Sequence, residues 1–260
     1  MANIQWQGNA INDTNAVMSV AAPLEGLYVQ RNILLDHLQP VYKVTEAITN
    51  INPLGRLYNI VQHPSLAFPF LNHSTIINSN AMKGFDQFAD AGKKIYYSWP
   101  LASKIKAETN LAGEQLNKTS LFSFVVNGNN SIGWITALSL DENLLFGYLW
   151  KRSDYPWINL WRHWEAGQLR YSGLEFGTTG LHRPFDEIIQ TGQYKVLGRS
   201  TIGYIDAGQT ISKSYTSFIC RVQTNFKGVK KINISAGEIK IAGLKKESSF
   251  VIMTGFDSVL

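Results

Sequence analysis

The chain has 260 residues and a net charge of +5, with 45% hydrophobic, 12% aromatic and only 17% charged residues. That supplies enough apolar surface for a sizeable core, while the basic residues are spread too evenly for a nucleic-acid-binding stripe. One cysteine, Cys220, excludes an internal disulfide framework and a multi-cysteine zinc site, and its place in SFICRV is that of a small buried hydrophobe. No run reaches the roughly 18 apolar residues of a membrane helix and the start MANIQWQGNAIND does not read as a signal peptide, so a cytoplasmic protein without membrane contact is expected.

In chain order, residues 1–20 are polar and read as an irregular start. Strands are expected over 26–35, 40–51, 94–102, 119–127, 132–140, 144–150, 158–165, 169–177, 194–205, 211–222, 230–236, 237–243 and 249–255, which are rich in β-branched and aromatic residues. Alternation is imperfect in places. In KVTEAI, Val44, Glu46 and Ile48 share one face and Lys43, Thr45 and Ala47 the other, as in a strand partly covered on both sides. Turn signals recur at NPLG (52–55), NGNN (127–130), DEN (141–143), EAGQ (165–168) and DAGQ (206–209). Short helical or loop excursions are expected within 36–49 and 101–117, and one helical turn in RPFDEIIQTG before Gly192. The C-terminal lysines, Lys230, Lys231, Lys240, Lys245 and Lys246 among them, alternate with apolar residues and suit strands at a sheet edge. The pattern implies an all-β protein: a large antiparallel β-sandwich with few short helices, a single domain over 1–260 whose residues 226–260 add C-terminal strands.

Chemistry-bearing residues concentrate in YPWINLWRHWEAGQLRYSGLEFGTTGLHRPF. Trp157, Trp161 and Trp164 stand beside Arg162, His163, Glu165, Glu175, His182 and Arg183. Indole rings stack on the C–H face of a sugar, and Arg, His and carboxylates bond its hydroxyls; each indole suits a sandwich core equally well. Glu175 lies among apolar neighbours in GLEFG, a setting that desolvates a carboxylate and makes it a better base, although a salt-bridged structural Glu fits the same string. A second region, TNINPLGRLYNIVQHPSLAFPF, carries His63 between Gln62 and Pro64. His37 and His73 lie in turn contexts, and the histidines show no metal-ligand spacing. GxSxG, GxxxxGK[ST] and GxGxxG patterns are all missing, so neither a serine hydrolase nor a nucleotide cofactor is indicated.

Three segments in order, ITNINPLGRLYNIVQHPSLAFPF, INLWRHWEAGQLRYSGLEFGTT and IGYIDAGQTISKSYTSFICRV, resemble the aldose 1-epimerase (galactose mutarotase-like) superfamily over roughly residues 20–225. GLEFGTTGLHRPF resembles a bacterial branch distinct from the well-studied mutarotases. The resemblance implies the galactose mutarotase-like supersandwich and cofactor-independent interconversion of hexose anomers. His63 would be the general acid and Glu175 the general base, with Gln62, Trp99, Trp161, Arg162, His163 and His182 as sugar-binding residues. The partner would be a hexose or related carbohydrate, with no metal and no nucleic acid. Departures are equally specific. The family's upstream Asn-Arg pair and second histidine have no counterpart before residue 20, implying a shortened N-terminal part, and only Asp86 or Asp154 stands in for its sugar-binding aspartate. A non-catalytic carbohydrate-binding module on the same scaffold is therefore the alternative function.

Overall fold

The computed structural model describes residues 4–89, 95–104, 107–113 and 118–260. The apolar stretches form two large antiparallel sheets that share one core. The first has eight strands in the order Gln7–Asn12, Asn15–Ala22, Leu27–Leu35, Val41–Asn50, Thr210–Arg221, Leu144–Lys151, Ile132–Ser139 and Thr75–Ser79. The second runs Tyr96–Ser98, Ala81–Asp86, Ser120–Val126, Trp157–Glu165, Gln168–Gly177 and Val61–Gln62, and Ser65–Ala67 also pairs with Gln168–Gly177. Among the described residues, one short α-helix, Phe185–Gln190, occupies the position of the expected helical turn.

Between the sheets, Phe124, Ile158, Leu160, Leu174 and Phe176 meet Val44, Ile135, Ala137, Tyr148, Trp150 and Tyr215. Trp150 and Phe176 stack across the interface with centroids 4.2 Å apart and planes 7° from parallel. The Trp150 indole N–H donates to the Tyr155 carbonyl at 2.7 Å, so this buried polar atom is satisfied.

The eight-stranded sheet is covered on its other face too. Trp134, Leu138, Leu145, Leu149 and Phe218 pack against Ile232, Ile239, Ile241 and Ile252 of a three-stranded sheet, Val229–Ser235, Glu238–Gly243 and Phe250–Met253. Double coverage explains why every residue of Ile132–Ser139 after the first is buried. The lysine-rich strands therefore lie over a face of the large sheet, not at its edge as their sequence suggested. Their apolar residues point inward and Lys230, Lys231 and Lys240 point to solvent. Cys220 packs at the margin of this layer, where burial pushes its thiol up to about 12.

Two local expectations need correction, and a third, a short excursion within 36–49, is met as a loop. The irregular start is a hairpin, Gln7–Asn12 with Asn15–Ala22, that continues the eight-stranded sheet. Its first strand is exposed along its whole length, so no buried face imposes apolar alternation on the sequence. Within 36–49, a turn over 36–40 leads directly into the Val41–Asn50 strand. Within 101–117, Leu101–Lys104 pairs with Ala107–Asn110, while 105–106 and 114–117 lie outside the described residues. No helix among the described residues is long and apolar enough to cross a membrane.

The hairpin joining Trp157–Glu165 to Gln168–Gly177 sets the register that matters for the site. Ala166 and Gly167 both have positive φ, 49° and 76°, as the twist of a tight hairpin demands. The alanine Cβ resists this conformation, so Ala166→Asn is expected to stabilise the fold by about 0.5–1 kcal/mol, measured as a higher denaturation midpoint. A loss of stability would show that the turn is held by something other than its backbone preference.

Candidate functional site

The outer face of the seven-stranded sheet is only partly covered. Leu181, Ile188 and Val196 fold back over Trp157, Val125 and Phe85, burying Trp157 completely. Where this cover ends, a cleft of about 590 Å³ opens, lined by Asn59, Val61, His63, Gln87, Leu121, Asn159, Glu175, Thr179 and the segment 181–185.

Strand pairing explains which side chains reach it. Asn159 lies opposite Glu175, Trp161 opposite Gly173 and His163 opposite Tyr171, so period-two alternation places all of them on the outer face. His63 follows the short Val61–Gln62 strand that pairs with Phe176 and Gly177, which brings it beside Glu175. Its Nε2 lies 2.9 Å from Glu175 Oε1, and its Nδ1 lies 3.2 Å from Ser65 Oγ. Glu175 is only 7% exposed, whereas the His63 side chain is half open to the cleft. Gly173 makes room for the pair. A Cβ there would stand 3.0 Å from Glu175 Oε1 and 3.4 Å from His63 Cε1.

Below the pair, Gln87 Nε2 donates to Ser123 Oγ at 2.7 Å, which donates to Asn159 Oδ1 at 2.7 Å. Asn159 Nδ2 donates to the Thr179 carbonyl at 3.2 Å, and the His182 backbone N–H to Gln87 Oε1 at 2.9 Å. This chain fixes the cleft floor and ties its cover to the sheet. Beyond the pair, Trp161 meets His63 edge-on at 5.4 Å and stacks on His163 at 5.6 Å, which stacks on Tyr171 at 6.2 Å. The row of rings runs from the His63 wall of the cleft along the outer face of the sheet.

Among the residues singled out from sequence, the structure thus gathers His63, Glu175 and His182 in the cleft, with Trp161 and His163 on the same face. The other three lie elsewhere. Gln62 points to the opposite side of its strand, where Nε2 donates to Glu46 Oε2 at 2.7 Å. Arg162 also faces inward, between Trp161 and His163 in sequence but on the other side of the strand. It is 3% exposed and donates to the Leu111 carbonyl at 2.6 Å, and burial brings its pKa down to about 10. Trp99 packs edge-on against Phe124 at the margin of the inter-sheet core. Asp86 Oδ1 accepts from the Phe88 N–H in a turn, and Asp154 lies outside the cleft lining. Among the described residues, no group of three His, Cys, Asp or Glu side chains gathers as metal ligands do.

No family model matches the sequence, and no curated protein matches it by sequence. Solved structures do match in shape. A candidate aldose 1-epimerase from Klebsiella pneumoniae superposes with a TM-score of 0.59 at 12% identity, covering 80% of this chain and 50% of that one. A TPR-domain-containing protein from Parabacteroides distasonis gives 0.58 at 9% identity, covering 89% of this chain and 37% of that one. A galactose mutarotase-like protein from Clostridium acetobutylicum gives 0.56 at 14% identity, covering 84% and 66%. The chain has the galactose mutarotase-like fold. It spans half the length of the Klebsiella protein.

On this mutarotase-like scaffold, the residues that sequence reasoning passed over are Asn59, Gln87, Asn159 and Thr179. Asn159 was within reach, since it stands two residues before Trp161 on the same strand face. Gln87 and Thr179 come to the cleft through loops whose course depends on distant packing.

The paired state of His63 has a pH signature. Its hydrogen bond to the Glu175 carboxylate raises the imidazole pKa above the ordinary 6.5, against an opposing effect of burial. The pair's contribution to stability is therefore complete below pH 6.5 and is lost as pH rises through the higher folded value. An NMR titration of the His63 ring should give a pKa above 6.5 that falls in Glu175→Gln. A wild-type value at or below 6.5 would contradict the pairing.

Proposed function

We propose that the protein binds an aldose in this cleft and interconverts its anomers, with Glu175 as general base and His63 as general acid. The observation that supports this most is the 2.9 Å His63–Glu175 contact at the wall of an open cleft. The hydrogen bond to Glu175 raises the imidazole pKa of His63, which favours an acid that starts with its proton.

A sugar enters with its C1 hydroxyl at Glu175 and its ring oxygen at Nε2 of His63, replacing the direct bond between the two side chains. Glu175 takes the hydroxyl proton as His63 gives its proton to the ring oxygen, and the C1–O bond of the ring breaks. The aldehyde rotates about the C1–C2 bond. On closure the ring oxygen attacks the other face, the hydroxyl proton returns to His63 and the new C1 oxygen takes its proton from Glu175. Protons balance over the cycle, and each group needs only its own partner's opposite affinity. Ser65 at Nδ1 keeps the ring oriented throughout.

The direct bond also favours a second reading, a carbohydrate-binding protein without turnover. Both His63 nitrogens already have partners, and a ligand that merely stacks beside Trp161 leaves them in place. Exchange NMR on a panel of aldoses separates the two. Cross-peaks between α and β anomers that grow with protein concentration support the epimerase, whereas sugar-induced shifts without exchange support the binder.

A further inference from the structure

The short Val61–Gln62 strand and His63 just after it form a partition. The cleft lies on one side. On the other, a cavity of about 210 Å³ is lined by Arg31, Gln62, His63, Pro64, Tyr148 and Tyr215. That is room for one small polar group together with several waters.

The donors and acceptors around this cavity are unbalanced. Glu46, 2% exposed, is bonded to two of its lining residues, and its acceptor capacity is taken. Arg31 donates to Oε1 through Nε at 2.9 Å and Nη2 at 2.6 Å, and Oε2 accepts from Gln62 Nε2 at 2.7 Å and the Tyr155 hydroxyl at 3.0 Å. No carboxylate lines the cavity itself. On the donor side, Arg31 Nη1 has no hydrogen-bond partner among the described residues. The Tyr215 hydroxyl has none either, although the residue is only 8% exposed. Tyr148 shares its hydroxyl with Tyr42 at 3.1 Å. Burial raises the phenol of Tyr215, more than the neighbouring guanidinium of Arg31 lowers it, so the hydroxyl keeps its proton near neutral pH. A second cation, Lys213, stands close by over the Tyr155 ring at 5.4 Å, with its Nζ on the Asp154 carbonyl. Neither donor is a buried unsatisfied atom. The Arg31 side chain is 25% exposed and both residues line a pocket open to solvent, so this donor capacity is available to a ligand. A guanidinium with a free edge beside a phenol is the chemistry that recognises an oxyanion.

We infer that the cavity behind His63 is a binding site for one anionic group, a phosphate or a carboxylate, held by Arg31 and Tyr215. This goes beyond anomer interconversion, which requires no anion on the sugar, and its failure would leave the epimerase reading untouched. Because His63 lines both spaces, the anion is either a free ion or the charged substituent of a sugar that crosses the partition.

Calorimetric titration of the full chain with inorganic phosphate, glucose 6-phosphate and glucose tests the site. Phosphate should bind, and Tyr215→Phe should weaken it about 10-fold or more, the usual effect of losing a hydrogen bond to a charged group. Glucose 6-phosphate binding much more tightly than phosphate assigns the group to a sugar ligand; equal affinities assign it to a free ion. Both outcomes uphold the site. It is overturned if neither phosphate-containing compound binds better than glucose, or if Tyr215→Phe, folded by its melting curve, binds phosphate as wild type does. Should that variant not fold, the His63 ring resonances of the wild type decide: phosphate must shift them, and unmoved resonances overturn the proposal.

Discussion

Glu175→Gln is expected to lower protein-dependent mutarotation by a factor of about 10²–10⁴, the usual contribution of a positioned acid–base group. The amide oxygen can still accept from His63 Nε2, so shape and the 2.9 Å contact are conserved while the negative charge is lost. Two effects then act together. No group of sufficient basicity faces the sugar hydroxyl, and the imidazole no longer has a carboxylate raising its pKa. His63→Ala should cost a similar factor, and the double variant little more than either alone, because the proposed reaction uses the two residues as one unit. Wild-type rates in the folded Glu175→Gln variant would remove the carboxylate from the reaction.

Trp150→Ala should have the largest effect on stability. Trp150 is fully buried, stacks on Phe176 at 4.2 Å and donates its indole N–H to Tyr155. Truncation leaves a cavity between the sheets, and comparable substitutions cost about 3–5 kcal/mol. For a chain of this size that lowers the melting temperature by roughly 6–20 °C. The effect reaches the cleft, since Phe176 is the direct neighbour of Glu175 and loses its packing partner. Thermal denaturation checks it, and a loss below about 1 kcal/mol would contradict the stacked core.

The same residues show what was legible in the sequence and what was not. The all-β architecture follows from dense β-branched and aromatic runs, and His63 and Glu175 were singled out from residue type and local resemblance. Arg162 and Gln62 were grouped with their sequence neighbours, yet a strand sends adjacent side chains to opposite faces. Strict alternation through WINLWRHWE separates Arg162 from Asn159, Trp161 and His163. It likewise separates Gln62 from His63. Trp99 gave no such signal, because it lies in the turn between Tyr96–Ser98 and Leu101–Lys104 and its packing depends on Phe124 in a distant strand. The Gln7–Asn12 strand left no trace because neither of its faces is buried. The cleft itself was out of reach. Its walls depend on where residues 178–205 fold back over Trp157, which is a matter of packing between distant segments.

Polarimetry of freshly dissolved α-D-glucose and α-D-galactose with the wild-type protein tests catalysis by the cleft most directly. The account predicts that at least one of the two relaxes to its anomeric equilibrium faster than in buffer alone, in proportion to protein concentration. Relaxation at the buffer rate for both, with protein that binds the same sugars by fluorescence titration, would contradict catalysis and leave the cleft as a binding site.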